Sequence, residues 1–260
     1  MQQQFRFWGT VDPRGRQKAP IVAAVPASGG DADEAVLRLY DPVDSWGGDW
    51  GTSAREFITA LDAVQAPRIR LHINSPGGEV YEAIAILNAL RAHPARVTAV
   101  VDGLAASAAS FIAAGSDEVV MAQNTELMIH DPWGLGIGNA ADFRDLASRL
   151  DHIGDNIASI YAAKAGGTVV DWREAMLAET WYSAQEAVAA GLADSVAGDG
   201  QDAAAGASNS WDLSVFRNAG RGRAPAPVLP APAERDRLTG DAAARAAWRH
   251  RHNAARLRAS

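Results

Sequence analysis

Between Arg68 and Leu127 the hydrophobic period of the chain changes four times. Arg68–Asn74, RIRLHIN, alternates with period two, as a half-buried strand does. After SPGG the period becomes helical, and Val80, Ile84 and Leu87 share one face of a helix from Glu79 to about Arg91. Val97–Val101 is again strand-like, Gly103–Ala106 reads as a tight turn of small residues, and Ser107–Ala114 as a short helix. Glu118–Ala122 and Leu127–Ile129 return to the apolar character of strands. Strands separated by single helices at this spacing imply a mainly parallel sheet with crossover helices, an α/β fold.

The flanks extend the scheme. Ala35–Tyr40 reads as a strand, the Gly- and Asp-rich stretch DPVDSWGGDWG as a loop, and Ser53-Ala-Arg-Glu56 as a capping box opening a helix. The glycine-rich WGLGIGN precedes a long helix, about Ala141–Lys164, with Phe143, Leu146, Leu150, Ile153, Ile157 and Ile160 spaced by three and four. A shorter helix is expected around Asp171–Leu177, then a strand TWYS, then a helix opened by the capping box Ser183-Ala-Gln-Glu186 and ended by Gly191. Three regions follow: an irregular segment 1–33 with a strand at Ile21–Val25, a domain 34–198, and a tail 199–260. The tail is rich in Ala, Pro and Arg, a composition expected to stay flexible and disordered, with a marginal helix over Glu234–Ser260.

Composition narrows the chemistry. The 260 residues include no cysteine, which removes disulfides and thiolate metal sites. No apolar run reaches the roughly 20 residues that span a bilayer. The first residues lack the apolar stretch of a signal peptide. A cytoplasmic protein with no membrane partner is therefore expected. From Arg217 onward lie 10 Arg and three acidic residues, +7, which leaves 14 basic and 28 acidic residues, −14, for residues 1–216. A body so acidic argues against nucleic acid as a partner.

Three pieces could carry catalysis. Ser107 in GLAASAAS sits where a helix begins, among alanines that leave room for a peptide backbone. A serine hydroxyl needs a base to become a nucleophile. His130, at the end of the apolar strand Leu127–Ile129, is the best placed of six histidines, since strand ends at the rim of a sheet expose functional groups. Gly77-Gly78 in INSPGG lets the backbone approach a ligand and aim an N–H at it. Taken singly, each piece reads equally as structure: a capped turn, a packed imidazole, a turn needing positive φ.

In this order, INSPGG, GLAASAAS, ELMIHDPWG and ETWYSAQEAVAAGLADSV resemble the proteolytic subunit of the Clp protease family, over roughly Ala35–Val196. DSWGGDWGTSAREF, MIHDPWG and ETWYSA are similar to its phage head-maturation (prohead) branch. The resemblance implies a ClpP/crotonase-type fold with a protruding handle helix, Ala141–Lys164. It implies a serine endopeptidase with Ser107 as nucleophile and His130 as general base. Gly78 and Ala108 would be the oxyanion donors, and Gly77 and Gly78 would pair with substrate backbone. No cofactor or metal is required. The third triad position, four ahead of Ser183-Ala184, holds Glu179 where the family has aspartate; Asp131, Asp171 and Glu174 compete for the role.

Expected partners are a polypeptide substrate, such as capsid or scaffold proteins, further copies of the chain in a ring or double ring, and a separate Clp-type ATPase, since no GxxxxGK[ST] loop occurs. The setting implied is the bacterial cytoplasm or a phage prohead. Three rivals stand beside this reading: an acyl-CoA enzyme of the crotonase type, a serine–lysine peptidase, and a catalytically idle capsid-assembly component. The second has only Lys18 and Lys164 to draw on.

Overall fold

A computed structural model describes residues 7–8, 12–15, 18, 20–23, 33–198 and 211–228. Within them run β1 (Val22–Ala23), β2 (Glu34–Leu39), α1 (Ala54–Asp62), β3 (Arg68–Ser75), α2 (Val80–Ala92), β4 (Arg96–Ala106), α3 (Ala108–Ala114), β5 (Glu118–Met121), β6 (Glu126–Ile129), α4 (Ala140–Ala165), α5 (Val169–Leu177), β7 (Thr180–Ser183), α6 (Ala184–Ala190) and β8 (Ser195–Val196). The strand expected at Ile21–Val25 is represented by β1, with residues 24–25 outside the described set, as is the helix expected over Glu234–Ser260.

The sheet runs β1-β2-β3-β4-β5-β8, with β6 and β7 branching from β4. Pairing is parallel except at β1–β2 and β6–β7. The α/β architecture with a mainly parallel sheet is thus the one expected. One element differs instructively. Gly103–Ala106, read as a turn, is the last stretch of an 11-residue β4. The strand pairs β5 over Thr98–Val101, then leaves it and pairs β6 over Leu104–Ala106. Its pairing with β3 shifts register between Ile73 and Ser75. Gly103 sits at this crossover because a side chain there would collide with the Asn74 carboxamide, 2.7 Å from its Cβ position.

The helix starts obey the capping chemistry of the sequence. Ser53, Asn139, Thr168 and Ser183 each accept an N3 amide while the N3 carboxylate accepts the cap amide. The main core lies between the sheet and its helices, with Phe57, Leu71, Ile73, Ile86, Phe111 and Tyr161 sealed in it. In α4 only the second half contributes, through Ile157, Ala158, Tyr161 and Ala165. The first half, with Phe143, stands out from the body beside exposed Leu135 and Ile137.

A second, smaller core occupies the opposite face of the β4–β6–β7 branch. Side chains alternate along strands, so Ala105, Leu127 and Tyr182 enter the main core while Leu104, Ala106, Met128 and Trp181 enter the other. What covers that face is Phe7 and Phe216, flanked by Trp211, Leu213 and Val215. Residues 211–224, inside the stretch expected to be a flexible tail, are folded onto the body. The apolar side chains interspersed in WDLSVF supply the buried surface that the Pro/Ala composition around them lacks.

Polar contacts hold this strap. Arg221 donates from Nε and Nη2 to the two carboxylate oxygens of Glu186, at 2.6 and 2.7 Å. Its backbone N–H donates to Glu126. The Arg221 guanidinium, with help from Ser183, lowers the Glu186 carboxyl from 4.5 to about 2. A carboxyl depressed by folding stabilises above its unfolded value and loses that contribution as pH falls. The strap is therefore expected to loosen as pH drops from about 4.5 toward about 2, read as faster pepsin cleavage within residues 211–228. Arg221→Ala should release it independently of pH.

Candidate active site

The two turns that matter are built against each other. β3 ends at Ser75, whose hydroxyl donates to Asp41 O at 2.6 Å and accepts the Gly77 amide at 3.1 Å. This closes the SPGG turn. Gly77 has φ +83°, and a Cβ there would fall 2.6 Å from Ala108 N, 2.9 Å from Ser107 Cβ and closer still to Ala106 O. Only a residue without a side chain lets the β3 turn lie flat on the β4–α3 junction.

Gly78 is confined on its other side. The Val43 amide donates to Gly77 O and the Glu79 amide to Val43 O, at 2.8 and 2.9 Å. Val43 thereby spans Gly78, and the parallel pattern turns the Gly78 N–H and C=O away from it. A Cβ on Gly78 would overlap the Val43 carbonyl, and its φ is +151°. Gly77, next to Gly78 in the chain, thus packs on the backbone of Ala108.

At that turn Ser107 adopts φ 53°, ψ −120°, a region costly for a residue with a side chain. Three contacts impose it. The Ser107 amide donates to Met128 O at 2.9 Å, stitching the end of β4 to β6. The Ser107 carbonyl accepts both the amide and the hydroxyl of Ser110, at 3.0 and 2.6 Å. The Ser110 hydroxyl also meets Tyr161 OH of α4 at 2.7 Å in the buried interior. Nothing in the sequence pattern distinguishes Ser110 and Tyr161 from other core positions.

His130 follows β6 directly, on the same face as Met128. Its Nε2 lies 2.7 Å from Ser107 Oγ. Both side chains are half-buried and open onto one cleft of about 550 Å³, which Gly78 also lines. Trp8, Trp46, Trp50, Tyr81 and Trp133 form its walls, and Leu150 and Ile153 of α4 its far end.

The carboxylates divide clearly. Glu179 is buried at φ 54°, between α5 and β7. Its Oε1 accepts the Asn218 amide at 2.7 Å and Trp181 Nε1 at 3.2 Å, and its Oε2 accepts the Arg217 amide at 2.7 Å. Asp131 is instead paired with Arg173 at 2.9 Å, which also holds Asp151 and Asp155 of α4. Burial raises the Asp131 carboxyl, with the Arg173 charge opposing. Asp171 caps α5, whose Thr168 amide and hydroxyl hold its carboxyl low, and Glu174 is exposed. Of the four candidates only Glu179 is both buried and free of a cationic side-chain partner among the described residues.

The other described histidines have separate occupations. His72 Nδ1 meets the Asp102 carboxylate at 2.9 Å, with Tyr40 OH donating to the same group. His93 accepts the Ala95 amide, and His152 neighbours Asn156 on α4. Among the described residues no group of three or more His, Cys, Asp or Glu is placed to hold a metal ion, and no helix is long and apolar enough to cross a membrane.

A serine held in a strained strand-to-helix turn and in hydrogen-bond contact with an imidazole at the end of the neighbouring strand defines a hydrolase of the serine-nucleophile class. The comparison with known sequences is more specific. The sequence model of the Clp protease family, described as Clp protease, matches residues 21–200, and the chain belongs to that family. It is 32% identical over 169 residues to the ATP-dependent Clp protease proteolytic subunit of Streptococcus pyogenes serotype M5 (strain Manfredo), covering 63% of this chain and 84% of that protein. It is 34% identical over 131 residues to the subunits of the same name in Pleurastrum terricola and Chlorella vulgaris. Half of this chain is covered in each case, and 67% and 65% of those proteins.

The fit of the two turns is open to a direct check. Gly77→Ala is expected to lower the free energy of unfolding by about 1–3 kcal/mol, the usual range for a forced backbone conformation. Urea denaturation measures it, and a neutral result would contradict the close approach.

Proposed function

We propose that this member of the Clp protease family is a head-maturation serine endopeptidase that cleaves capsid or scaffold polypeptides. The observation that carries the catalytic part is the 2.7 Å contact between Ser107 Oγ and His130 Nε2. In this mechanism Ser107 Oγ attacks the scissile carbonyl carbon as His130 Nε2 takes its proton. The tetrahedral oxyanion is received by the amides of Gly78 and Ala108. His130 gives the proton to the leaving amine, the C–N bond breaks, and an ester to Ser107 remains. Water then attacks the ester, surrendering a proton to His130, which returns it to Ser107 Oγ.

Glu179 is the third member, its carboxylate stabilising the imidazolium that forms in each half-reaction. Its longer side chain starts from a backbone of positive φ, 54°, which alters the line of approach relative to an aspartate. The edge of Gly78 facing away from Val43 receives the substrate as an added strand, a mode that asks little of side-chain sequence. Gly77 supports that edge from behind.

The head-maturation assignment rests on the segments DSWGGDWGTSAREF and MIHDPWG, which place Trp46, Trp50 and Trp133 on the walls of the cleft. A second reading, a proteolytic subunit served by a separate Clp-type ATPase, is favoured by the relatives, which are ATP-dependent Clp protease proteolytic subunits. The two differ in whether folded capsid precursors are cut without nucleotide. Self-association is supported by the projecting half of α4 and the loop before it, where Phe143, Leu135 and Ile137 are exposed. An apolar surface of this kind marks an interface between copies.

Co-expression with the neighbouring capsid proteins should give truncated products with the wild type and none with Ser107→Ala. Loss of a triad serine typically costs about 10³-fold or more in rate. Cleavage that survives this substitution would remove the reading. Phe143→Asp is expected to reduce the mass measured by analytical ultracentrifugation while leaving the melting temperature of the body close to that of the wild type.

A further inference from the structure

The strap Trp211–Ala224 lies against two residues of the candidate site, His130 and Glu179, which nothing in the triad chemistry requires. Phe216 is buried with its ring perpendicular to the His130 imidazole, centroids 5.4 Å apart. The same ring packs on Trp181 at 5.8 Å and on Phe7 at 6.0 Å. The next two residues turn their backbone amides onto the Glu179 carboxylate, one on each oxygen, both at 2.7 Å. The Asn218 side chain also donates to Glu179 O. A single run of three residues therefore touches both the base and the carboxylate.

Two features distinguish support from blockade. Phe216 is absent from the walls of the substrate cleft, so the strap stands behind the imidazole and leaves the face toward Ser107 open. Its fastening also lies away from the chemistry, at the Arg221–Glu186 ion pair and the Arg221 amide on Glu126. Trp8 and Trp211, edge to face at 5.1 Å, and the Asp212 amide on Phe7 O close it against the N-terminal segment.

We propose that residues 211–224 form a positioning strap: Phe216 fixes the plane of the His130 ring, and the Arg217 and Asn218 amides fix the carboxylate of Glu179. The inference rests on the reading of Ser107 and His130 as nucleophile and base and of Glu179 as the third member. A ring in perpendicular contact with a buried neighbour has little freedom to swing, and two charge-assisted amide bonds hold the carboxylate oriented. Rate depends steeply on such alignment, because the base must sit within hydrogen-bond reach of the hydroxyl in the reacting geometry. Phe216 and Arg221 are thus positioning residues, acting through His130 and Glu179.

The test uses the full-length protein with Phe216→Ala, Phe216→Leu and Arg221→Ala. A lost edge-on ring contact is of the size that a change of about tenfold in rate reads. Phe216→Ala is expected to lower kcat on a peptide substrate by about tenfold with KM within about twofold, and to slow inactivation by a fluorophosphonate in proportion. Phe216→Leu refills the volume, so it should recover most of the melting temperature while kcat stays low. A merely structural residue would recover both together. Arg221→Ala should lower kcat in the same sense, and should add little to Phe216→Ala because both act through one strap.

The NMR signals of the His130 ring protons should move in Phe216→Ala, even with Ser107 replaced by alanine. Unmoved signals, or a kcat within about twofold of wild type in Phe216→Ala, overturn the strap and leave the peptidase reading standing. Resistance of the wild-type protein to the fluorophosphonate would instead bring down the serine reading, and the strap's role with it.

Discussion

The site depends on a change of partner in the middle of the sheet. β4 begins as an ordinary parallel strand between β3 and β5, then turns from β5 to β6 at Gly103 and carries on to Ala106. Its last hydrogen bond, from the Ser107 amide to Met128 O, is made two residues before His130. Hydroxyl and imidazole meet because the two strands that end in them are stitched at their final rungs. A strand end is stiff where a loop is not, so the approach of Oγ to Nε2 is set by the ladder rather than by the side chains' own freedom.

Strain follows from the same arrangement. Ser107 and Glu179 both adopt positive φ without being glycine, at 53° and 54°. Each is a conformation costing on the order of 1–3 kcal/mol that neighbouring contacts must offset. For Ser107 those contacts are Met128, Ser110 and, through Ser110, Tyr161 of α4. For Glu179 they include its amide on Met176 O and the strap amides on its carboxylate. The long helix and the strap, which look like appendages, each stabilise one unfavourable backbone at the centre.

Much of this was legible in advance, and the reasons differ from residue to residue. Capping boxes at Ser53 and Ser183 declared their helices because both halves of the reciprocal bond lie within four residues. Ser107, His130 and the Gly77-Gly78 pair were visible as candidates because each stands at a change of period, where a chain turns at the rim of a sheet. The strand character of Gly103–Ala106 was hidden, since small residues on both faces resemble a turn and only the register shift against β3 explains them. The strap was hidden by its surroundings. Averaged over the tail, Ala, Pro, Gly and Arg outweigh WDLSVF, and only the folded sheet shows Met128 and Trp181 on an outer face of β6 and β7 that something must cover.

Local order was within the sequence's reach: which segments are strands, where helices start, which hydroxyl and which imidazole stand at turns, and that glycine is needed at 77 and 78. These depend on interactions between residues close along the chain, and neighbours a few positions apart leave a readable pattern. The folded structure alone decided that Oγ of Ser107 and Nε2 of His130 lie 2.7 Å apart, that Glu179 and not Asp131 is the buried carboxylate without a cation, and that Phe216 closes over the imidazole. Those outcomes join residues 23 to 86 positions apart, and no local pattern encodes a contact made only once the sheet has brought its strand ends together.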